Sequence, residues 1–296
     1  VDWESHRVEL TGYCYRMLAS GFEAEDAVQE TFAKAWKAGY DEQRGSLRAW
    51  LYSIATNVCL DMLRSPQRRA LAVDLAPVSA PGKDVGAPLP ETAWVQPVPD
   101  AKVLDPADQV VAKQSVRLAF VAALQHLPPR QRAVLILRDV LCWKAAEVAE
   151  LLSTSTEAVN SVLQRARALV PAQPTQDEVD QSLLDRYCRA FEAHDVDTLV
   201  SLLRDDATMS MPPFQWWIRG KEHQRIALLH ADGPCLGATL VPTHANGGPA
   251  FGHYGPDGAP FALITLDVVD GRIAHAVSHL DTALFPLFEL PSTAPR

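Results

Sequence analysis

Residues 143–170 read WKAAEVAELLSTSTEAVNSVLQRARALV. Two amphipathic runs flank a polar turn, Ser153-Thr154-Ser155. In the first run, Trp143–Leu152, Val148, Ala149 and Leu152 fall on one side at helical spacing. In the second, Ala158, Val159, Val162, Ala166 and Leu169 make the apolar side. Thr154 and Glu157 have the spacing of a capping box, which marks a helix start because it satisfies two backbone N–H groups that the helix cannot. The far side of the second helix presents Thr156, Glu157, Asn160, Gln164 and Arg167, with Ser161 and Arg165 beside them. These side chains can bond base edges or phosphates, and a recognition helix needs them on one stripe. On these residues alone, a capped surface helix is the alternative.

Charge favours the DNA reading for this segment. The 296-residue chain has a net charge of −9, which argues against nucleic acid at first sight. Residues 110–170, however, hold eight Lys/Arg against four Asp/Glu, whereas residues 171–296 hold eight against sixteen. The one basic segment has the size of a small DNA-binding module.

Upstream, residues 5–64 are poor in Gly and Pro, and apolar residues recur at helical steps. Three helices are expected: about Ser5 to Ala19 with Gly21 as its stop, Glu23 to Ala38, and Ser46 to Arg64 with Pro66 as its end. On the second helix, Ala24, Thr31, Phe32, Ala35 and Trp36 fall within about 80° of Val28, while Asp26 and Glu30 fall opposite. On the third, Leu47, Leu51, Ile54, Ala55, Val58 and Met62 form the expected buried stripe. Beside it run Ser46, Trp50, Ser53, Asn57, Asp61 and Arg64. An aromatic ring among hydrogen-bonding groups suits melted DNA, where rings stack on bases.

Three strings together resemble one family. Asp26-Ala27-Val28-Gln29-Glu30-Thr31-Phe32 with Ala35-Trp36 resembles the polymerase-docking segment of sigma factor region 2. Ser46 through Asn57, with Asp61 and Arg64, resembles its minus-ten-reading part. Leu127-Pro128-Pro129-Arg130-Gln131-Arg132 and the residues from 146 to 167 resemble region 4. The resemblance implies an extracytoplasmic-function sigma factor whose partners are the RNA polymerase core, at the clamp of its largest subunit, and promoter DNA. It assigns Asp26, Gln29, Glu30 and Phe32 to core binding. Trp50, Ser53, Asn57, Asp61 and Arg64 go to the minus-ten element, and the exposed stripe of 156–167 goes to the minus-thirty-five element.

The expected organisation is multidomain. Two all-α sigma domains, 1–65 and 110–170, are joined by a Pro-rich linker, 66–109, in which Trp94 and Val95 are unusual for a free tether. After two further helices in 177–203, the pattern alternates. Strands are expected at Gly237–His244, Phe251–Tyr254, Phe261–Val269 and Arg272–Leu280, with Asp270-Gly271 as a hairpin turn. Residues 177–290 resemble the SnoaL-like, nuclear-transport-factor-two-like fold, an α+β cone. The resemblance implies a regulatory domain. Trp216, Trp217, Phe251, His253, Tyr254 and His279 are the candidate lining of a pocket for a small apolar ligand, and a purely packing or interaction role stays open beside it.

An enzyme of that fold fused to a DNA-binding module is the rival reading. Tyr187, His223, His253, His279 and Asp281 are its candidate acid–base groups, but no nucleophile–base spacing supports it, and no catalytic residue is assigned. The five cysteines are scattered and lack CxxC spacing, so neither a zinc site nor a disulfide framework is expected. No cofactor is implied. No apolar run approaches membrane-spanning length and no secretory signal pattern opens the sequence; the scattered cysteines read as reduced and mostly buried, which points to the cytoplasm.

Overall fold

The computed structural model describes residues 2–41, 45–64, 69–82, 84–105, 110–170, 179–231 and 233–295. Two positions read as boundaries, Pro66 and Gln173-Pro174, lie outside them. The chain divides into two compact units: Val1–Arg69 with Val95–Gln173, and Ala70–Trp94 with Pro174–Arg296. The stretch read as one linker is therefore divided, its first part belonging to the sheet-bearing unit and its second to the helical unit.

In the helical unit, α1 (Arg7–Leu18), α2 (Gly21–Ala38) and α3 (Leu47–Met62) pack together. The first helix does not wait for Gly21 to stop. Ala19 takes the left-handed conformation (φ 59°) and returns its N–H to the Tyr15 carbonyl at 2.7 Å. Its own carbonyl accepts the Gln96 N–H at 3.0 Å, so a contact from the former linker holds a conformation that costs a non-Gly residue about 1–2 kcal/mol. Ser20 then caps α2 by accepting the Glu23 N–H. The short helix α4 (Ala72–Leu75) belongs to the other unit, and α5 (Asp100–Val103) lies on α1. A Cβ at Gly12 would stand 2.7 Å from the Val103 carbonyl oxygen, so this approach needs glycine.

The helices α6 (Val110–Ser115), α7 (Leu118–Gln125) and α8 (Pro129–Leu135) follow. A π-helical turn, Ile136–Val140, then leads to α9 (Ala145–Leu151) and α10 (Thr156–Leu169). A buried polar network ties this half to α1. The Arg16 guanidinium donates to Ser115 Oγ at 2.7 Å, and the fully enclosed Arg132 donates to the carbonyls of Leu124 and Met17 and to Gln125 Oε1. Arg132 thus satisfies a carbonyl that the end of α1 leaves without a helical partner.

In the second unit, α11 (Gln181–Glu192) and α12 (Val196–Ser201) precede a six-stranded sheet. Its strands are β1 (Leu203–Ser210), β2 (Trp217–Arg219), β3 (Thr239–Ala245), β4 (Gly248–Tyr254), β5 (Pro260–Val269) and β6 (Arg272–His279), in the order β2-β1-β6-β5-β4-β3. The pairing of β1 with β6 is parallel and the others antiparallel. Asp270 and Gly271 both have positive φ (53° and 65°), as the two-residue hairpin turn requires. The four expected strands are present, and β1, β2 and the helix α13 (Lys221–Leu229) were not foreseen.

Residues opposite one another in a ladder share a face. Phe251 and Ile264 face Leu183, Tyr187, Ala190 and Leu199 of α11 and α12 in one apolar core. Gly252, Leu263 and His279 face the other way. On that side Tyr254 packs edge-on against Phe285 of α14 (Leu284–Leu287). Nearer β2, Trp217 packs with Ala72 and Trp94. Residues 76–82 and 84–89 run along β2 as a strap. The Trp217 indole N–H donates to the Ala76 carbonyl at 2.8 Å, Ser79 N–H to the Trp217 carbonyl at 2.8 Å, and Leu89 N–H to the Pro213 carbonyl at 2.8 Å. The apolar character of Trp94, odd for a tether, is explained by this packing.

Candidate polymerase and DNA interface

On α2, Asp26, Gln29 and Glu30 are exposed, in a row continued by Ala33. Phe32 is half-buried, with Trp3 edge-on at 6.2 Å and the Arg7 guanidinium 5.0 Å over its ring. Trp36, expected on the inward side, is 82% exposed. It lies about 20° from Gln29 around the helix, so the burial stripe ends at Ala35 and the last turn points its indole outward.

On α3 the buried stripe is rotated from expectation. Tyr52, Thr56 and Cys59 are enclosed with Leu51, Ala55 and Val58, while Met62 is 39% exposed. Tyr52 is drawn inward by ring contacts with Tyr13 at 5.2 Å and Trp143 at 5.0 Å. The second stripe stays on the surface: Asn57, Asp61 and Arg64 are exposed, the last two forming an ion pair at 2.8 Å. Trp50 and Ser53 are half-buried. The Trp50 ring stands between Trp3 at 6.2 Å and Tyr40 at 5.4 Å. Beside it is a small cavity of about 120 Å³, lined by Ala38, Gly39, Tyr40, Asp41, Gly45 and Trp50.

The two candidate DNA-reading segments meet. A groove of about 650 Å³ has Ser46, Trp50 and Ser53 of the α3 side on one wall and Lys144, Glu147 and Glu150 on the other. The Arg48 guanidinium lies over both the Tyr52 and Trp143 rings, at 5.2 and 5.3 Å. This contact between the helix-turn-helix and α3 was not legible in the sequence, where the residues stand some ninety positions apart.

The helix-turn-helix itself forms as expected, with three differences. The cap of α10 is Ser155, whose Oγ accepts the Ala158 N–H at 3.2 Å, rather than Thr154. Leu163 is buried with Val159 and Ala166, while Leu169 is 57% exposed because the helix outruns the surface it packs on. Arg167 is engaged: its Nε and Nη2 donate to the two carboxylate oxygens of Asp139 at 2.8 and 2.6 Å. That hydrogen bonding raises the Arg167 pKa. Glu157, Asn160, Ser161, Gln164 and Arg165 are exposed and Thr156 half-buried. Glu157 sits in the first turn, where hydrogen bonds from its own backbone N–H and then Ser155 lower its pKa.

The six residues read as a ligand pocket are not brought together. Neighbours on a strand point to opposite faces, so Phe251 and His253 lie on the α11 side and Tyr254 and His279 on the other. Phe251 is core; His253 Nε2 is 3.0 Å from the Pro234 carbonyl; the Tyr254 hydroxyl donates to the Pro291 carbonyl. Trp217 is held by the strap. Trp216 borders a groove, of about 360 Å³, whose other wall includes Pro77, Val78, Val85 and Gly86. The candidate acid–base groups are divided in the same way, Tyr187 under the core face and His279 on the opposite one. Among the described residues, no cluster of His, Cys, Asp and Glu could hold a metal ion, and no helix is long and apolar enough to cross a membrane.

Residues 3–69 match the family model of sigma-70 region 2, and residues 117–170 that of sigma-70 region 4. The chain is similar to the ECF RNA polymerase sigma factor SigG of Mycobacterium tuberculosis, with 46% identity over 310 residues, 98% of this chain and 83% of the relative. It is 33% identical over 214 residues to SigJ of the same species, covering 71% of this chain and 63% of the relative. The crystal structure of M. tuberculosis SigJ matches with a TM-score of 0.66 at 25% identity, covering 98% of this chain and 99% of that one.

Proposed function

The chain belongs to the extracytoplasmic-function RNA polymerase sigma factors, and from that premise we propose how its residues divide the work of promoter recognition. The exposed face of α2 docks on the clamp of the largest polymerase subunit. Asp26, Gln29 and Glu30 supply its polar contacts, the edge of Phe32 adds apolar area, and Trp36 extends the same face with a large ring of the kind that anchors protein interfaces. Trp50 and Ser53, with Asn57, Asp61 and Arg64, take the minus-ten element, and the cavity beside Trp50 suits one unstacked base. The α10 stripe reads the minus-thirty-five element through Asn160 and Gln164, with Thr156, Glu157, Ser161 and Arg165 around them. Its partners place the protein in the cytoplasm.

The sheet-bearing unit modulates initiation and does not catalyse. Among its candidate acid and base groups, Tyr187 and His279 lie on opposite faces of the sheet, and His223 and His253 are each bonded to a backbone carbonyl. Its influence runs through residues 70–94, which connect the two sigma regions in sequence yet pack on its sheet. A small apolar ligand bearing a hydrogen-bond acceptor would fit between the strap and Trp216, whose buried indole N–H has no partner among the described residues.

The observation that carries the docking assignment is the exposed acidic and amide row on α2. Replacing Asp26 and Glu30 by Lys in the full chain is expected to weaken co-purification with core polymerase at least tenfold, with helical content unchanged by circular dichroism. Retained affinity overturns it.

A further inference from the structure

The recognition helix α10 is attached to its domain mainly by a narrow apolar stripe, Val159, Leu163 and Ala166. A stripe of this kind fixes which side of a helix is buried, but dispersion and apolar burial are weakly directional and leave rotation about the helix axis loosely set. A contact with defined direction is the bidentate pair of Arg167 and Asp139, at 2.8 and 2.6 Å. Asp139 sits in the π-helical turn Ile136–Val140, next to Arg138, whose guanidinium donates to the Trp143 carbonyl at the start of the helix-turn-helix. Arg167 follows Gln164 by three residues, just under one turn. The fork is planar and both of its bonds are charge-assisted, so the pair specifies angle as well as distance.

We infer that Asp139 and Arg167 are positioning residues for DNA readout. They set the rotation of α10 that presents Asn160 and Gln164 to the bases, and Arg167 acts through Asp139 rather than as a phosphate contact. This rests on the reading of α10 as the recognition helix. Two of the guanidinium's five N–H groups are spent on the carboxylate, which also balances the charge that a phosphate would be drawn to. The pair is also exposed, Arg167 by 60% and Asp139 by 29% of its side-chain surface. Exposed pairs add little to folding stability. Its effect should therefore appear in sequence preference and leave folding almost untouched.

The test uses the full chain bound to core polymerase and a pool of promoter fragments randomised over the upstream element. The variants are Asp139→Ala, Arg167→Ala, the double variant, and the exchanged pair Asp139→Arg/Arg167→Asp. Asn160→Ala and Gln164→Ala serve as controls. Both single variants should broaden base preference to the same extent, the double variant should be no worse than either, and the exchanged pair should recover at least part of the selectivity. The slope of log affinity against log salt should match the wild type for Arg167→Ala. A phosphate contact would instead lower that slope by about 0.9 and weaken all sequences evenly. That outcome, or an Asp139→Ala variant with wild-type preference, overturns the inference. If the Asn160 and Gln164 controls select the same sequences as wild type, the recognition-helix reading itself falls and takes the inference with it. If the controls shift and Asp139→Ala does not, only the inference falls.

Discussion

His279 ends β6 in a buried position, its Nε2 has no hydrogen-bond partner among the described residues, and burial lowers its pKa from 6.5 to about 3. The unfolded imidazole takes up its proton near pH 6.5, whereas the folded one resists until about pH 3. The stability tied to its neutral form is thus fully present above pH 6.5 and is lost as the pH falls through that window. His253 shifts the same way, because its burial outweighs the bond to the Pro234 carbonyl. The stability of the full chain against heat or urea should therefore fall below pH 6.5, by up to about 1.4 kcal/mol per pH unit from His279 alone. His279→Leu should flatten that dependence, and an unchanged slope would exclude His279 as its source. Such residues also mark the limit of reading by type. A histidine on a strand looks alike whether it awaits a ligand or fills a core, and the register of β5 and β6 decides between them. Trp36 makes the same point in reverse, since its angular position near the apolar stripe suggested burial and the end of the packed surface denied it.

At the scale of elements, caps can be assigned more finely than the sequence allows. Thr154 and Ser155 both have side chains able to start α10, and the spacing to Glu157 favoured Thr154. In the structure Ser155 holds the extended conformation of a cap and accepts the Ala158 N–H. Ser155→Ala should lower the stability of the helical unit by about 1 kcal/mol, and Thr154→Ala by a few tenths at most. Equal losses, measured by urea unfolding, would return the cap to Thr154. The α3 helix shows a complementary shift. Its length and amphipathicity were legible, but Tyr52 is turned inward by Tyr13 and Trp143, rings on two other elements. Periodicity reports which residues share a side; partners at long range decide how far that side rotates.

Over the whole molecule, the Pro-rich stretch is the main departure from the linear reading. Proline disfavours long helices there, and among the described residues only short turns of helix form. It did not exclude packing. Ala72, Trp94 and Trp217 make one apolar cluster, flanked by Leu75, Leu89 and Ala93. Cutting the chain after Ala172 would leave this strap without its sheet, so a truncated protein would differ from the intact one in exposed apolar surface as well as in regulation. Trp217→Ala in the full chain is a gentler probe. It removes the ring and the bond to the Ala76 carbonyl and should open residues 72–94 to limited proteolysis, while the sheet resists. A cleavage pattern like that of the wild type would mean that Trp217 does not hold the strap.

The helices, the helix-turn-helix, the α+β character of the last third and the family itself were determined by local information: apolar spacing, caps, turn residues and strings whose side chains act within one element. The strap on β2, the meeting of α3 with α9, the left-handed Ala19 and the Asp139–Arg167 pair were decided only in three dimensions. Each joins residues from separate elements, and composition cannot report a contact whose directional bond needs both ends placed first.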